Sequence, residues 1–398
     1  MSGNQRIVLP KDLGKLRERA SRAISPIKPA LDPAGRDLQF LLDARRTEAG
    51  RGLPPYYMVY FLLIDLLNFP DMGRWEKVDW RIPIDFEGQT FTIEYRKFGI
   101  GVFAPQPEKE EERARRIVGL IRRGVSVAGP YFEWLAAKAV QESKLNVTSH
   151  SGWLFERYYY LRGRFDECEA EAERRKDERH EEKQTLKDGT VVTAVIMPCY
   201  ELKQNARWMG LAAIDAFFSW TEHLFIHLAI LQSRVTTGDQ VAALAGAEWP
   251  DKFKTAMDLG DPATQPFFDQ LLMIRRQLRN FVAHGAFGKR GEAFRFHSRA
   301  GAVPVLMTRT VRKARFSMIG EPAFDERAAL QVIDAFIEHL WSGKRAPARV
   351  YLEDSALPTI LPMATDGTYD TAMNSVEDMR DLVERLTWSL DNAANMDW

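Results

Sequence analysis

The sequence predicts an α+β protein that is mainly α-helical, and three observations support this class. Apolar residues recur at helical spacing over most of the second half of the chain. A strand-like alternation around the turn Glu87-Gly88-Gln89 interrupts the helical pattern in the first half, and a second alternating stretch follows Gly288. We therefore expect a mixed α/β N-terminal domain followed by a four-helix bundle with a β-hairpin insertion.

Composition places the 398-residue chain among soluble globular proteins, with 45% apolar and 28% charged residues. The two cysteines, Cys168 and Cys199, lie in different sequence contexts, so neither a disulfide framework nor a cysteine-based zinc site is expected. The N-terminus lacks the apolar core of a signal peptide, and the longest apolar run, 56–69, is short for a membrane span and contains Asp65. We interpret that run as a buried helix and expect a cytoplasmic protein without a membrane partner.

Residues 1–150 are predicted to form the mixed α/β domain, and they contain no catalytic motif that we can identify. Four prolines before residue 35 indicate a lead-in segment, because proline interrupts helices. The predicted elements that follow are a helix over 40–69, strands over 80–86, 90–95 and 99–103, and a helical region over 107–145.

Residues 151–195 are predicted to be a charged helical spacer. From Asp166 to Lys183 nearly every side chain is charged, and the mixed signs favour i,i+4 pairs over an apolar core face. Two interpretations remain open: an ordinary surface helix, or a helix that separates domains or pairs with a partner helix.

Residues 196–345 are predicted to contain the four-helix unit. Its first helix is predicted from an apolar pattern that runs from about Pro198 to Leu231. The residues that follow the unit, 346–398, are predicted to be an acidic C-terminal extension, with 3 basic and 10 acidic side chains. The remaining predicted elements are a helix over 240–257 broken at Trp249-Pro250, a helix over 266–282, strands over 293–299 and 303–318, a helix over 325–341 and a terminal helix over 376–390.

The helix predicted over 266–282 ends in a group of polar residues that suits catalysis. Arg279 and Asn280 are followed by His284, beside a glycine. An Arg is also followed by a His five residues after Arg175 and seven residues after Arg290, but Arg175 lies in the charged spacer and Arg290 in a Gly-rich turn. Only Arg279 follows an apolar stripe, carries Asn next to it and comes after another long helix.

These features resemble the HEPN family, whose motif is Arg, a polar residue, three further residues and His at a helix end. The resemblance covers about 150 residues and extends to Glu222, which is similar to the acidic residue often found on an earlier helix in the family. It implies a metal-independent endoribonuclease without a cofactor, such as a toxin or phage-defence effector. The implied catalytic residues are Arg279, Asn280, His284 and Glu222.

RNA cleavage needs only the chemistry that these residue types supply. When the 2′-hydroxyl attacks the adjacent phosphorus, a catalyst must accept a proton, donate a proton and stabilise the negative phosphorane. Histidine titrates near neutrality and can be base or acid, and Arg279 would donate to the phosphoryl oxygens. Asn280 would orient the imidazole or the phosphate, and the products would be a 2′,3′-cyclic phosphate and a 5′-hydroxyl. The alternative roles are structural: His284 would stabilise a helix C-terminus, and Arg279 would form a surface ion pair.

Helical geometry adds a constraint, because residues five apart differ by roughly 140° around a helix. Arg279 and His284 therefore do not share a helix face, whereas Asn280 and His284 do. Three arrangements could bring Arg279 and His284 together: the long side chain of Arg279 extends around the helix, the helix end is distorted, or a second copy of the helix completes the site. The resemblance favours the last, with two Arg and two His meeting in the cleft of a homodimer.

A basic stretch surrounds the motif and could bind a polyanion. From Arg275 to Arg315 there are eleven Lys or Arg against the single acid Glu292. The alternative is a solvated basic face paired with acids from elsewhere in the chain. A separate hypothesis is that the acidic extension folds over this stretch and inhibits the nuclease. The candidate RNA-binding residues are Arg275, Arg276, Lys289, Arg290, Arg295 and Arg299.

The sequence also allows alternatives to the nuclease and to the roles of its residues. His223 and His227 have a spacing that could hold a metal, but no third ligand is nearby, and no metal site is expected. Glu222 would orient Arg279 or only neutralise a buried base. The alternative function is a non-catalytic HEPN-like dimerisation or RNA-binding module. By analogy with the family, the N-terminal domain would sense an unknown trigger or restrain the nuclease.

Overall fold

The fold is mainly α-helical with small antiparallel sheets, which confirms the predicted α+β class. The chain divides into two units, residues 1–144 with 384–398 (unit 1) and residues 145–383 (unit 2). The structure is a computed structural model that describes residues 12–30, 44–185, 191–279, 295–299, 301–304, 325–355 and 357–396.

Unit 1 contains a five-stranded antiparallel sheet whose centre is the predicted hairpin. Phe86 pairs with Gln89, and the intervening Glu87 and Gly88 both have positive φ, at 57° and 80°, as a two-residue hairpin turn requires. The third predicted strand is also confirmed. The order across the sheet is β1 (Lys28–Pro29), β3 (Val78–Phe86), β4 (Gln89–Arg96), β5 (Gly99–Ala104) and β2 (Arg45–Arg46).

The helices and the sheet of unit 1 share a hydrophobic core, in which Leu62, Ile82 and Ile121 are fully buried. The helical region predicted over 107–145 is two helices, because Pro130 lacks a backbone N–H and begins a new helix. The helix predicted over 40–69 is also shorter, since β2 and a 3₁₀ turn precede it. The helices are α1 (Leu13–Ile24), α2 (Tyr56–Tyr60) continued by a π-helix (Phe61–Leu66), α3 (Pro107–Val127) and α4 (Gly129–Gln141).

Unit 2 is built around one long helix, α6 (Pro198–Leu231), whose predicted bounds are confirmed. Its apolar residues are buried along most of the helix, and Phe217, Trp220 and Phe225 are fully enclosed by aromatic and aliphatic neighbours. The break predicted at Trp249-Pro250 separates two short helices. The helices that follow α6 are α7 (Gly238–Ala245), α8 (Trp249–Ala256), α9 (Gln265–Leu278) and α10 (Glu326–Leu340).

The charged segment before α6 differs from its prediction. Helix α5 (Ser151–Arg174) ends before the charged run does, and β7 (His180–Thr185) pairs with β8 (Val191–Ile196) as an antiparallel hairpin. Helix α5 is not a freely exposed spacer, because Tyr158, Phe165 and Ala172 are buried. These three residues are seven apart, so a narrow apolar seam lies among the charges and packs against α6.

The first part of the acidic C-terminal segment, residues 346–383, belongs to unit 2 and is packed rather than loosely attached. Tyr351 and Tyr369 are fully buried with their hydroxyls 3.2 Å apart, and Thr359 pairs with Val147 of an early strand. Both tyrosines are therefore part of the core of unit 2, in spite of the charge of this segment. Its elements are α11 (Ala346–Leu352), β11 (Thr359–Ile360), α12 (Thr368–Ala372) and α13 (Val376–Asn395), the last of which continues into unit 1; β11 pairs with β6 (Asn146–Val147).

Two short strands, β9 (Arg295–Ser298) and β10 (Gly301–Pro304), form the described part of the predicted insertion. They pair in antiparallel register, with Arg295 opposite Pro304. Within the ranges that the structure covers, no helix combines the length and the apolar character needed to cross a membrane.

Candidate functional site

The predicted site residues Arg279 and Glu222 line the same cavity in unit 2, with a volume of about 570 Å³. Arg279 caps the C-terminal end of α9 in a helical conformation and is exposed. Helix α9 is anchored by the buried residues Leu271, Ile274 and Leu278, so the apolar stripe that precedes Arg279 also positions this residue.

Two helix faces form the walls of this cavity. Helix α6 contributes Asp215, Phe218, Ser219 and Glu222, whose spacings of three, four and seven residues place them on one side of the helix. Helix α9 contributes Arg275, Leu278 and Arg279 with the same kind of spacing.

Glu222 is held by two cations, and neither is Arg279. Its Oε1 atom accepts a hydrogen bond of 2.8 Å from Nη2 of Arg275, and its Oε2 atom lies 3.5 Å from Nζ of Lys252, which is buried. Nη1 of Arg275 also lies 3.9 Å from a carboxylate oxygen of Glu248. The arginine that Glu222 contacts is therefore Arg275, which lies one helical turn before Arg279, and not Arg279 as predicted.

Arg279 differs from Arg275 in its surroundings. No acid of the described ranges lies within ion-pair distance of its guanidinium, which faces the cavity. Arg275 already contacts two carboxylates, so its donors are partly occupied. Arg279 is thus better placed than Arg275 to donate to an anionic group that enters the cavity.

Several predicted residues do not enter this geometry. Arg276 is exposed on α9 and does not line the cavity, and Arg299 is exposed at the turn after β9. For Arg295 the structure describes the backbone, which pairs with Pro304 in β9 and β10. Asn280, His284, Lys289 and Arg290 lie outside the described residues.

Sequence reasoning missed three polar residues of this region: Asp215, Ser219 and Lys252. The signal for the first two was available, because they precede Glu222 by seven and three residues on a helix whose bounds were predicted correctly. No local pattern pointed to Lys252, since it reaches Glu222 from another helix, α8.

The histidines of α6 form a separate cluster with His150. The ring centroids of His223 and His227 are 4.4 Å apart, and those of His150 and His223 are 5.9 Å apart. Nε2 of His223 accepts a 2.8 Å hydrogen bond from the backbone N–H of His150, so that nitrogen is not available as a metal ligand. Among the residues with described placement, no group of three or more His, Cys, Asp or Glu side chains could hold a metal ion.

Burial sets the protonation of this cluster. Desolvation, together with repulsion from neighbouring histidines, lowers the pKa of His227 to about 3 and that of His223 to about 4. Both rings are therefore neutral near pH 7. His227 also shares a 2.8 Å hydrogen bond between Nδ1 and the hydroxyl of Thr359, which ties α6 to β11.

Comparison with known proteins leaves the family unassigned. The chain has no significant match to a protein-family model, a curated protein or a solved structure. The motif and the cavity between α6 and α9 are therefore the features from which a function can be inferred.

Proposed function

We propose that this protein is a metal-independent endoribonuclease of the HEPN type. One observation carries the proposal: Arg279 and Glu222, chosen from the sequence for their positions on two separate helices, line one cavity of unit 2. A cavity of about 570 Å³ with basic and acidic side chains suits a polar ligand such as an RNA phosphate and its ribose.

Each residue has a distinct role in this proposal. Arg279 donates hydrogen bonds to the phosphoryl oxygens as negative charge develops on phosphorus. Arg275, fixed by Glu222, contributes a positioned positive charge to the cavity wall. His284 exchanges the proton of the attacking or leaving oxygen, and Asn280 orients the imidazole or the phosphate.

The proposed active form is a homodimer. Arg279 and His284 are five residues apart and would point to different sides of a continuous helix. A twofold axis beside α9 would let one protomer supply Arg279 and the other His284 to each phosphate. RNA is the proposed substrate, no cofactor is needed, and unit 1 would respond to an unidentified trigger.

Cleavage of mixed RNA in EDTA, measured under single-turnover conditions with protein in excess, tests this function. We expect Arg279→Ala to slow cleavage by about 10²–10³-fold, because a phosphorane donor is lost. We expect His284→Ala to slow cleavage by about 10²–10⁴-fold, because a proton-transfer group is lost. The control Gln277→Ala alters an exposed side chain of α9 that does not line the cavity, and it should cleave at the wild-type rate.

The products identify the chemistry. Fragments with 5′-hydroxyl ends accept labelled phosphate from a kinase without prior phosphatase treatment, whereas 5′-phosphate ends do not. If wild type and all variants bind RNA equally and none cleaves it, the nuclease is refuted and a non-catalytic RNA-binding module is favoured.

A further inference from the structure

Unit 1 contains a second cavity that the proposed nuclease does not use. It has a volume of about 430 Å³ and lies where α2 and the π-helix face the beginning of β3. We call it the aromatic pocket. Its lining includes five aromatic rings and three charged side chains: Tyr56, Tyr57, Tyr60, Phe61 and Trp80, with Asp71, Asp79 and Arg74.

The rings of the aromatic pocket are held in place while part of their surface remains in contact with solvent. Tyr56 and Tyr57 are 42% and 45% exposed although they are large aromatic side chains. Tyr56 stacks on Tyr95 with centroids 4.0 Å apart and planes within 1°, and Tyr60 packs edge-on against Trp80 at 5.7 Å. The rings are therefore ordered before any ligand binds.

Two irregularities of the backbone lie beside this pocket. The helix that begins at Tyr56 changes to a π-helix directly after Tyr60, a rare conformation that often occurs at functional sites. The pairing of β3 with β4 shifts register between Val78 and Trp80, so Asp79 is the extra residue of a β-bulge. Both departures occur at residues that line the pocket.

The charged side chains that line the pocket leave one excess negative charge, because Asp71 and Asp79 stand against the single cation Arg74. Asp79 is paired with Arg74 at 3.1 Å, but no Lys or Arg side chain of the described ranges pairs with Asp71. The Asp71 Oδ1 atom instead accepts backbone N–H bonds from Gly73 and Arg81, which fix its position. Burial raises the pKa of the Tyr60 hydroxyl, and the carboxylates of Asp71, Asp65 and Asp79 raise it further.

We infer that the aromatic pocket binds a small organic cation with a methylated ammonium group. Aromatic rings attract such a cation through their quadrupoles, and the carboxylate of Asp71 adds long-range attraction. A metal ion would prefer a shell of oxygen ligands, and the carboxylate of Asp71 would repel an anionic nucleotide. The volume lies at the small end of the range for small-molecule sites, which suits a free cation rather than a segment of a macromolecule.

Titration of the full-length protein with choline chloride, followed by isothermal calorimetry and ligand-observed NMR, tests this inference. The neutral isostere 3,3-dimethylbutan-1-ol has the same shape without the charge and should bind at least fivefold more weakly. Tyr57→Ala and Asp71→Asn should each weaken choline binding by about two- to fivefold. Tyr159→Ala, which removes an exposed tyrosine from unit 2, should leave choline binding unchanged.

Four results would overturn the inference. The first is no choline binding at millimolar concentration, and the second is equal binding of choline and its neutral isostere. The third is unchanged choline affinity in both pocket variants, with circular dichroism showing that they are folded. Tighter binding of AMP or of a trimethyl-lysine peptide than of choline would likewise refute a small cationic ligand. RNA cleavage is measured separately, so failure here leaves the nuclease proposal intact.

Discussion

Lowering the pH from 7 to 5 should destabilise unit 2 through the buried His227. This side chain is 1% exposed, and burial lowers its pKa to about 3, with His223 and His150 adding repulsion. Its hydrogen bond to Thr359 links α6 to β11, so protonation would place a charge between two packed elements.

The size of the effect follows from the difference between the folded and unfolded pKa values. The unfolded histidine, with a pKa of 6.5, binds a proton at pH 5, whereas the folded one does not. Stability is therefore lost as the pH falls below about 6.5, at about 1.4 kcal/mol per pH unit. Between pH 7 and pH 5 the loss from His227 is about 2 kcal/mol, and His223 contributes in the same direction.

Urea unfolding at pH 7 and pH 5, followed by hydrogen–deuterium exchange in peptides of α6, measures this loss. His227→Asn keeps a polar group near Thr359 but does not titrate, so its stability should fall by about 2 kcal/mol less than wild type over this interval. The control His180→Asn removes an exposed histidine and should behave as wild type. The same pH dependence in wild type and His227→Asn would refute the reasoning.

Two further predictions concern the core of unit 1. Glu94 is fully buried and paired with Arg81, so Glu94→Ala should lower the free energy of unfolding by about 3–5 kcal/mol in urea titrations, and an unchanged midpoint would contradict this. Gly124→Ala should lower it by about 1–3 kcal/mol, because the new Cβ would lie 2.5 Å from Cγ2 of Ile24. Gly119→Ala on the same helix meets no atom within 4 Å and should not destabilise; equal midpoints for the two variants would exclude the steric explanation.

Much of the secondary structure could be predicted because it is encoded locally. The apolar pattern of α6 gave its bounds, and Glu87-Gly88 gave the hairpin turn. The charged run from Asp166 to Lys183 was misleading, because its charges hid the heptad seam of α5. The β-propensity of Val191–Ile196, just beyond that run, was overlooked.

The candidate site was predictable only in part. Local pattern singled out Arg279 at the end of α9 and suggested Glu222, because amphipathic spacing and helix ends are properties of neighbouring residues. It did not reveal that Glu222 pairs with Arg275 and Lys252, since those contacts join residues on three different helices.

The sequence by itself therefore determined the class of the fold, its long helices and the motif, because periodicity over a few turns selects which face is buried. Tertiary structure decided which charges neutralise one another, where the acidic segment packs and which aromatic rings surround a cavity. Those features depend on the distance between residues that are remote in sequence. Asp71 and Tyr56, for example, share a pocket only because β3 folds back beside the π-helix.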